Sequence, residues 1–371
     1  MKILQVITSL ETGGAEMLVV QMTSRLRRMG HDVDVCVFNG HDTPLMELLK
    51  SNNPEIKIYK LGKGVYNPLF ILKLAGIMRN YDIVHSHNSS PQLFVAAAKV
   101  LCSVVICTTE HTTSNRKRGW KWYAPVESWM YRKYNHTVCI SKIAEEKLRE
   151  YMGGKWLIPS SKLYNKISTI NNGVDVYGIN KALPIENLHT QGQFVTTMVA
   201  GFREAKDQDT AIKAMALLPD NYILWLVGDG VRRNILETLA KELDVVKRVI
   251  FLGLRNDVPR ILKTSDVVLM SSHWEGLSLS NIEGMSAGKP FIASDVNGLR
   301  EVTQGYGLLF EHENAQELAN LIKKMHDDKD LYRKTSEQCY ERAKGFDISV
   351  TVEKYDEVYK EIFREKKDLR H

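Results

Sequence analysis

The sequence predicts an α/β protein of two doubly wound, Rossmann-like domains that face each other across a cleft. Apolar runs of strand length alternate with segments of helical period, which indicates parallel sheets covered by helices on both faces. A stretch of low periodicity divides this alternation into two similar series. The 371 residues suffice for two domains, and 44% of them are hydrophobic, as in ordinary globular proteins.

The first domain is predicted over residues 1–178. Its first helix has clear boundary signals, since the pair Gly13-Gly14 precedes it and Gly30 follows it. The predicted strands are residues 3–7, 33–38, 83–85, 104–108 and 137–140. The predicted helices are residues 15–29, 44–50, 93–101 and 142–151.

A linker is predicted over residues 179–193, where glycine, proline and asparagine occur with little periodicity. The second domain follows over residues 194–348, and residues 349–367 form a last helical segment that needs a surface to pack on. The predicted strands are residues 194–199, 223–227, 249–252, 267–270, 291–293 and 307–310. The predicted helices are residues 209–217, 232–243, 258–263, 281–287 and 315–326.

Charge and cysteine content limit the kind of protein. Residues 1–178 carry 23 Lys and Arg against 14 Asp and Glu, and residues 179–371 carry 27 against 30, so the first domain should attract anions. The five cysteines are scattered, which argues against disulfides or a zinc site and fits a reducing compartment. No export signal precedes the first strand, and no apolar stretch approaches the ~18–20 residues that span a bilayer. We therefore expect a cytoplasmic protein.

The clearest chemical signal lies in the loop after the predicted strand 267–270, because ligands bind at the carboxyl ends of strands in open parallel sheets. Glu275 and Glu283 flank the start of a helix whose free first-turn amides, helped by Gly276, suit a phosphate. A carboxylate repels phosphate, so the two glutamates are better suited to neutral hydroxyls, the layout of a nucleotide sugar. The alternative is that Glu283 caps the helix and Glu275 is a solvated loop residue.

Further motifs occur along the chain in a fixed order. They are Gly13-Gly14-Ala15-Glu16, Asp82-Ile83-Val84-His85-Ser86-His87, Thr109-Glu110-His111, Asn171-Asn172-Gly173-Val174-Asp175, Lys206-Asp207, Val227-Gly228-Asp229-Gly230, the run from Glu275 to Glu301, and the tail with Phe346, Tyr355 and Tyr359. Together they resemble the motifs of family-4 retaining glycosyltransferases, which have the GT-B fold. The resemblance implies that a helix over residues 349–371 packs back on the first domain.

The resemblance also implies roles for single residues. Glu275 would hold hydroxyls of the donor sugar, Glu283 would bind the ribose, and His111 would lie beside the reacting sugar, which makes Glu275 and His111 the expected catalytic residues. The implied donor-binding residues are Gly14, Arg203, Lys206, Leu254, Arg255, Glu275, Gly276, Leu277, Ser278 and Glu283. The family needs no metal, and His85 and His87 without a third ligand are a weak metal signal, so we predict neither metal nor cofactor.

One position departs from the family's pattern. Gly201 stands where a phosphate-binding arginine usually lies, so half of the expected cationic clamp is missing. Arg203 is the nearest substitute, because positions 201 and 203 of an extended segment project to the same side. The alternative is that Arg203 is a solvated loop residue.

Basic and aromatic residues are interleaved in one loop of the first domain. The loop contains Arg116, Lys117, Arg118, Trp120, Lys121 and Trp122. This composition suits an anionic membrane surface or a phosphate-bearing acceptor, while nucleic-acid binding and a solvated loop with aromatic anchors are the competing interpretations. We expect an acceptor- or membrane-facing loop, a peripheral position on the inner face of the cell membrane, and no nucleic acid.

The sequence therefore predicts a metal-independent, retaining glycosyltransferase. It would move a sugar from a nucleotide diphosphate sugar, with UDP favoured, to a saccharide or lipid-linked saccharide in surface polysaccharide assembly. A non-catalytic nucleotide-sugar binding protein is one alternative. A nicotinamide-dependent dehydrogenase is another, but it needs a G-x-G-x-x-G turn that neither Gly13-Gly14 nor Gly228-Asp229-Gly230 provides.

Overall fold

Contacts between residues divide the chain into two units. The structure is a computed structural model that describes residues 1–11, 13–112, 116–120, 123–186, 188 and 192–368. The first unit comprises Met1–Asn172 and Ile348–His371, and the second comprises Gly173–Asp347.

A parallel sheet forms the centre of the first unit. Its strands are β1 (Lys2–Ile7), β2 (Asp32–Asn39), β3 (Ile58–Gly62), β4 (Ile83–His87), β5 (Val105–Glu110), β6 (His136–Cys139) and β7 (Ile167–Thr169). They lie in the order β3-β2-β1-β4-β5-β6-β7. Strands β4 and β5 are buried along their whole length, as expected for a parallel sheet covered on both faces.

Helices connect successive strands of this sheet. They are α1 (Gly14–Arg28), α2 (Pro44–Asn52), α3 (Leu69–Met78), α4 (Ser89–Ala98), α5 (Tyr123–Lys133) and α6 (Lys142–Met152). Leu18, Met22 and Leu26 of α1 recur at intervals of one helical turn and are buried, which gives this helix its core-facing side. Thr43 and Ser141 cap α2 and α6 by accepting backbone N–H groups of the first turn.

The second unit has a six-stranded sheet in the order β10-β9-β8-β11-β12-β13. Its strands are β8 (Phe194–Val199), β9 (Tyr222–Val227), β10 (Val249–Gly253), β11 (Val267–Met270), β12 (Phe291–Ser294) and β13 (Leu308–Phe310). Its helices are α7 (Val176–Lys181), α8 (Gln208–Ala216), α9 (Arg233–Glu242), α10 (Val258–Thr264), α11 (Leu279–Ser286), α12 (Arg300–Thr303), α13 (Ala315–Asp327) and α14 (Lys329–Lys344). This strand order is that of Rossmann domains.

The last helix, α15 (Ile348–Asp368), belongs to the first unit. Its Val352, Tyr355 and Tyr359 are buried in the same apolar cluster as Leu18 and Met22 of α1. The unit is therefore built from two separate stretches of the chain.

The boundary between the units differs from the predicted domain boundary. Residues 173–178 belong to the second unit, because α7 packs there against α10 and α11. Asp175 caps α7 by accepting the N–H of Gly178 at 3.3 Å, so a helix begins where the sequence analysis ends the first domain. The helix also covers the first residues of the predicted linker, whose residues 187 and 189–191 lie outside the described residues.

Both sheets reverse their strand order beside their first strand, between β1 and β4 and between β8 and β11. Open α/β sheets bind ligands outside the carboxyl ends of the strands at such a switch point. The loops after β8 and β11 carry most of the donor-binding residues proposed from the sequence. None of the described helices combines the length and the apolar character needed to cross a bilayer, and all five cysteines are free thiols.

Candidate active site

Lys206 and Glu275 form an ion pair at the switch point of the second sheet. Lys206 lies in a short turn after β8, and Glu275 lies in the loop after β11. The Lys206 ammonium donates to Glu275 Oε1, and the Ser272 hydroxyl donates to the same oxygen at 2.9 Å. Two charges that are 69 positions apart in the sequence thus meet in one loop cluster.

Hydrogen bonds between the two loops hold this ion pair in place. Ser271 Oγ donates to the carbonyl oxygen of Asp207 at 2.6 Å. The Asp207 carboxylate caps α8, because Oδ1 accepts Thr210 N–H at 3.2 Å and Oδ2 accepts the Thr210 hydroxyl at 2.6 Å. The cap fixes the residue directly after Lys206, so a rigid helix start positions the lysine.

The loop that carries Glu275 and Gly276 lies directly on the turn that contains Gly298. A Cβ atom at Gly298 would lie 2.0 Å from the carbonyl oxygen of Gly276 and 2.6 Å from that of Glu275, and Gly298 has φ +87°. Leu277 and Ser278 follow and lead into α11, where Ser278 is the N-cap residue and its side chain makes no capping hydrogen bond. The first-turn amides of α11 are therefore not capped by this side chain.

Glu283 lies on α11, and its carboxylate has no hydrogen-bond or ion-pair partner among the described residues. The side chain is only partly exposed. Burial without a compensating partner raises the pKa of Glu283 to about 7. A carboxyl group in this state gains from any ligand that donates hydrogen bonds to it.

Arg203 lies beside Gly201, at the position where the sequence predicts a substitute cation. Its Nε is 3.8 Å from the point that a Cβ atom of Gly201 would occupy. Phe202 between them is buried and anchors the segment. Gly228 and Gly230 pack directly against the backbone of this segment, since Cβ atoms there would lie 2.1 Å from Ala200 O and 2.5 Å from Phe202 O. The Arg203 guanidinium has no ion-pair partner within the described part of the chain.

Leu254 and Arg255 lie in the loop after β10. The Leu254 side chain is 82% exposed. Arg255 forms a bidentate ion pair with Asp257, with both N···O distances at 2.8 Å. The loop thus presents an apolar side chain next to an arginine that is already paired.

Three residues near this site meet the distance criterion for a metal ion: Asp207, His273 and His312 have ligand atoms within 4.8 Å of one another. Both oxygens of Asp207 are engaged by Thr210, and His273 Nδ1 lies 2.6 Å from His312 Nε2, a hydrogen-bond distance. Hydrogen bonds within the protein therefore engage the ligand atoms of Asp207 and the facing nitrogens of the two histidines.

His111 follows β5 in the first unit and is half-buried. Its Nε2 lies 3.0 Å from Nδ1 of His87, which ends β4. Burial lowers the pKa of His111 to about 4, so the ring is neutral at physiological pH. Gly14 opens α1 in the same unit and is exposed, with open space where a Cβ atom would be.

The structure corrects the sequence-based expectation for Arg118. Its guanidinium lies 3.2 Å from Glu110 Oε2 and 3.4 Å from Glu127 Oε1, and the side chain is 11% exposed. Tyr131 donates a further hydrogen bond to Glu110 at 2.5 Å. Two buried carboxylates require a cation, so Arg118 stabilises the interior and is not a free charge for a membrane surface.

The rest of this loop is only partly described. The Lys117 ammonium lies 5.1 Å from the ring centre of Tyr66 and 5.6 Å from that of Tyr123. Trp120 is 46% exposed. Lys121, Trp122 and the side chain of Arg116 lie outside the described residues.

Two doubly wound units are the architecture of the GT-B class of glycosyltransferases. The Anabaena protein HepE in complex with UDP has this fold: it matches 97% of this chain and 100% of its own with a TM-score of 0.79 at 21% identity. Residues 12–177 match the model of Glycosyltransferase Family 4, and residues 180–345 match that of Glycosyl transferases group 1. The chain belongs to this family, the group 1 or family 4 glycosyltransferases.

Relatives of known name agree with this assignment. The UDP-Gal:alpha-D-GlcNAc-diphosphoundecaprenol alpha-1,3-galactosyltransferase of Escherichia coli is 29% identical over 338 residues, 85% of this chain and 80% of that protein. The N-acetyl-alpha-D-glucosaminyl L-malate synthase of Bacillus anthracis is 24% identical over 378 residues, 96% of each chain. The predicted fold class and the predicted transferase activity are confirmed, and the dehydrogenase alternative is excluded.

Sequence reasoning did not identify Gln5 or Ser272 as candidate site residues, and it considered His87 only within the motif Asp82–His87 and as a weak metal ligand. Gln5 is the buried polar residue of β1, and His87 ends β4 after two further buried polar residues, His85 and Ser86. Buried polar residues need hydrogen-bond partners, and this need is the signal in the sequence that could have marked them as candidate site residues. Ser272 carried no signal of its own, because serine is common in loops.

Proposed function

We propose that this glycosyltransferase takes its sugar from a nucleotide diphosphate sugar, with UDP favoured, and that the donor binds at the switch point of the second sheet. The observation that carries the proposal is the meeting of Lys206 and Glu275 at that point, beside the start of α11. The lysine can neutralise charge on a diphosphate. Glu275 Oε2, which has no partner among the described residues, can accept hydrogen bonds from sugar hydroxyls. A UDP-Gal-dependent relative and the UDP complex of HepE support UDP.

The other residues of the second unit extend this proposal to the rest of the donor. The uncapped amides around Leu277 and Ser278 would hold phosphate oxygens, with Gly276 allowing close approach. The unpartnered carboxylate of Glu283 would accept hydrogen bonds from the ribose. The exposed Leu254 and the neighbouring Arg255 would cover the base.

We further propose that transfer proceeds with retention at the anomeric carbon. The bond from the sugar to the leaving phosphate oxygen breaks, the bond to the acceptor oxygen forms on the same face, and the acceptor proton passes to the leaving phosphate. No carboxylate nucleophile is needed, so the enzyme contributes positioning and charge stabilisation. The product's anomeric configuration, read from its NMR coupling constant, tests this step.

A thermal-shift screen against nucleotides and nucleotide sugars tests the donor assignment. A ligand at one hundred times its Kd adds about 2.7 kcal/mol of stability. We expect UDP and UDP-sugars to stabilise the protein and GDP or ADP to have little effect, followed by UDP release in an assay with acceptor. Stabilisation by a different nucleotide alone would overturn the UDP assignment.

For the acceptor we propose a saccharide or lipid-linked saccharide of surface polysaccharide assembly, in the cytoplasm. The diphosphoundecaprenol-linked acceptor named for the Escherichia coli relative supports the lipid-linked form, and the free thiols suit a reducing compartment. The excess of cations in the first half of the chain favours an anionic acceptor. Arg118 no longer supports binding to a membrane surface, because it is paired with Glu110, whereas Trp120 is exposed and still supports it.

Glu283→Ala should weaken nucleotide-sugar binding by roughly 1.5–3 kcal/mol, the worth of hydrogen bonds to a charged group. The variant should also abolish a proton release that the parent shows. The free carboxyl has a raised pKa of about 7, and ribose hydroxyls stabilise only its ionised form, so binding near pH 6 expels a proton and affinity rises with pH up to about 7. Calorimetry in two buffers of different ionisation enthalpy measures both effects.

A nucleotide sugar is the right ligand for this measurement, because its diphosphate does not change charge near neutral pH. Glu242→Ala, an exposed acid on α9, is the matched control and should behave as the parent. Equal affinity and equal proton release for Glu283→Ala and the parent would return Glu283 to a structural role.

We propose that turnover requires no metal ion, so EDTA treatment should leave kcat unchanged within about twofold. The physical reason is that the cationic groups of the site come from the chain itself, Lys206 and Arg203, and that a pyrophosphate held by cations and amides needs no further Lewis acid. The assay compares EDTA-treated enzyme with and without added Mg²⁺, Mn²⁺ or Zn²⁺. Loss of activity that Zn²⁺ restores would contradict this proposal and point to His273 and His312.

A further inference from the structure

Three polar side chains on neighbouring strands of the first sheet form a hydrogen-bonded row. Gln5 lies on β1, His87 ends β4, and His111 follows β5. Gln5 Oε1 lies 2.8 Å from His87 Nε2, and His87 Nδ1 lies 3.0 Å from His111 Nε2. Gln5 and His87 are completely buried.

The chemistry of these groups fixes the order of protons along the row. An amide oxygen only accepts hydrogen bonds, so His87 must carry its proton on Nε2 and present a lone pair at Nδ1. That lone pair requires a donor, so His111 carries its proton on Nε2. The Nδ1 atom of His111 is then the acceptor, and it has no partner among the described residues.

Helix α15 provides a partner for the Gln5 amide nitrogen. The Gln5 amide nitrogen donates to the hydroxyl of Tyr359 at 3.4 Å, and this hydroxyl lies 2.5 Å from His85 Nδ1. His85 Nε2 in turn lies 2.8 Å from Thr109 Oγ1. Each polar atom in this buried set has a partner, and a fully satisfied buried network holds one arrangement firmly.

Burial keeps both histidines of the row neutral, which the proton order requires. It lowers the pKa of His87 well below its usual range and that of His111 to about 4. Neither ring therefore gains a second proton near neutral pH. A neutral imidazole has one donor and one acceptor, and its tautomer is decided by its neighbours.

We propose that Gln5 and His87 are positioning residues that hold His111 in the tautomer with its proton on Nε2, which leaves Nδ1 to accept a hydrogen bond from a hydroxyl of bound sugar. The proposal rests on the proposed function, sugar transfer from a nucleotide sugar, and on the sequence-based expectation that His111 lies beside the reacting sugar. It adds that His111 acts there as an acceptor and that a buried row of side chains decides this.

Histidine tautomers can be observed directly by two-bond ¹H–¹⁵N NMR spectra of protein labelled with ¹⁵N-histidine. The chain has 11 histidines, and the His111 signal is identified by its loss in His111→Ala. We expect protonation at Nε2 in the parent and in Gln5→Glu, because a carboxylate keeps the acceptor oxygen toward His87. Protonation of His111 at Nδ1 in the parent would overturn the proposal, since this is the order that a reversed Gln5 amide produces.

Kinetics of matched variants provide the second measurement. Gln5→Met removes the acceptor oxygen and should mix the two tautomers and lower kcat by roughly tenfold, the lower end of what losing an orienting partner costs a functional histidine. The KM for the donor should change little. His87→Asn, whose side-chain oxygen can replace Nδ1, should preserve the tautomer and most of kcat, whereas His87→Leu should lose both.

Tyr134→Phe is the control for general damage to the buried interior of this unit. It removes the hydrogen bonds of the Tyr134 hydroxyl with Ser86 Oγ and with the carbonyl oxygen of Gln92, both 2.7 Å long, and leaves the row that ends at His111 and its contacts with Tyr359 intact. We expect lower thermal stability with an unchanged tautomer and an unchanged kcat. A folded Gln5→Met with parental tautomer and kcat would overturn the proposal.

The two readouts separate this proposal from the proposed function. If His111→Ala retains full activity, the contact of His111 with substrate is wrong, while the tautomer spectra still decide whether the row orders the proton. If the spectra show the wrong tautomer, the row fails as a positioning device even when His111→Ala is inactive.

Discussion

Lys206→Ala and Arg203→Ala should each reduce the turnover of a nucleotide-sugar donor by roughly 10²–10³-fold, the typical cost of one lost donor to a charged transition state. The leaving diphosphate gains negative charge as the sugar departs, and cations held in place stabilise that charge without reorganisation. Lys206 is engaged by Glu275 in the free protein, so its charge is only partly available. Arg203 has no such partner among the described residues, so its whole charge is available to the diphosphate. We therefore expect Arg203→Ala to reduce turnover by a factor comparable to that of Lys206→Ala.

The Arg203 side chain lies close to the position where the family pattern expects an arginine, since its Nε is 3.8 Å from the point that a Cβ atom of Gly201 would occupy. The guanidinium bends back over Gly201, because the glycine leaves space that a side chain would fill. The strand end is rigid, since Gly228 and Gly230 support its backbone directly. A planar, bidentate group held in this way suits a phosphate better than a second lysine would.

Three measurements make this prediction decisive. Arg203→Lys should recover only part of kcat, because an ammonium keeps the charge and loses the fork. Arg333→Ala, on the exposed side of α14, is the control and should be fully active. An Arg203→Ala enzyme with parental kcat and KM would make Arg203 a solvated loop residue.

The sequence predicts the central strands of both sheets well, because these are continuous apolar runs bounded by polar turns. It misses β3, β7, α3, α5, α7, α12 and α14, and the reasons differ among β3, α3 and α14. The edge strand β3 is short and only one of its residues is buried. Helix α3 is apolar around most of its circumference, which hides the helical period, and α14 buries the small residues Thr335, Cys339 and Ala343 in place of large apolar ones.

The candidate site could also be predicted from the sequence only in part. The order of motifs predicts that Lys206 and Glu275 serve one ligand, and the structure brings them into contact. The role of Arg118 could not be predicted, because no pattern shows that Glu127 on α5 turns inward and joins Glu110. Local composition predicts that the cations of such a basic loop are exposed. Only the tertiary structure shows that Arg118 pairs with the buried carboxylates.

The second large effect is expected at Gly298, which contacts no ligand in our proposal. Gly298→Ala should reduce kcat by about 10²-fold, the size of effect that a displacement of about 1 Å at a reacting group produces. A Cβ atom at Gly298 would lie 2.0 Å from the carbonyl oxygen of Gly276, whereas an ordinary C···O contact is about 3.3–3.6 Å. The backbone of Glu275 and Gly276 must therefore move by more than 1 Å, and the Glu275 carboxylate moves with it.

Gly305→Ala separates this displacement from the cost of the backbone conformation. Gly305 has φ +82°, close to the +87° of Gly298, but a Cβ atom there would meet nothing within 4 Å. Gly305→Ala should lose roughly 1–2 kcal/mol of stability, because alanine tolerates a left-handed conformation poorly, and Gly298→Ala should lose this amount together with the added cost of the clash. Only Gly298→Ala should also lose turnover, measured as donor-dependent product formation at a temperature where both variants are folded. If both alanine variants turn over donor at the same rate, the contact between the Gly298 turn and the Glu275 loop does not position the carboxylate.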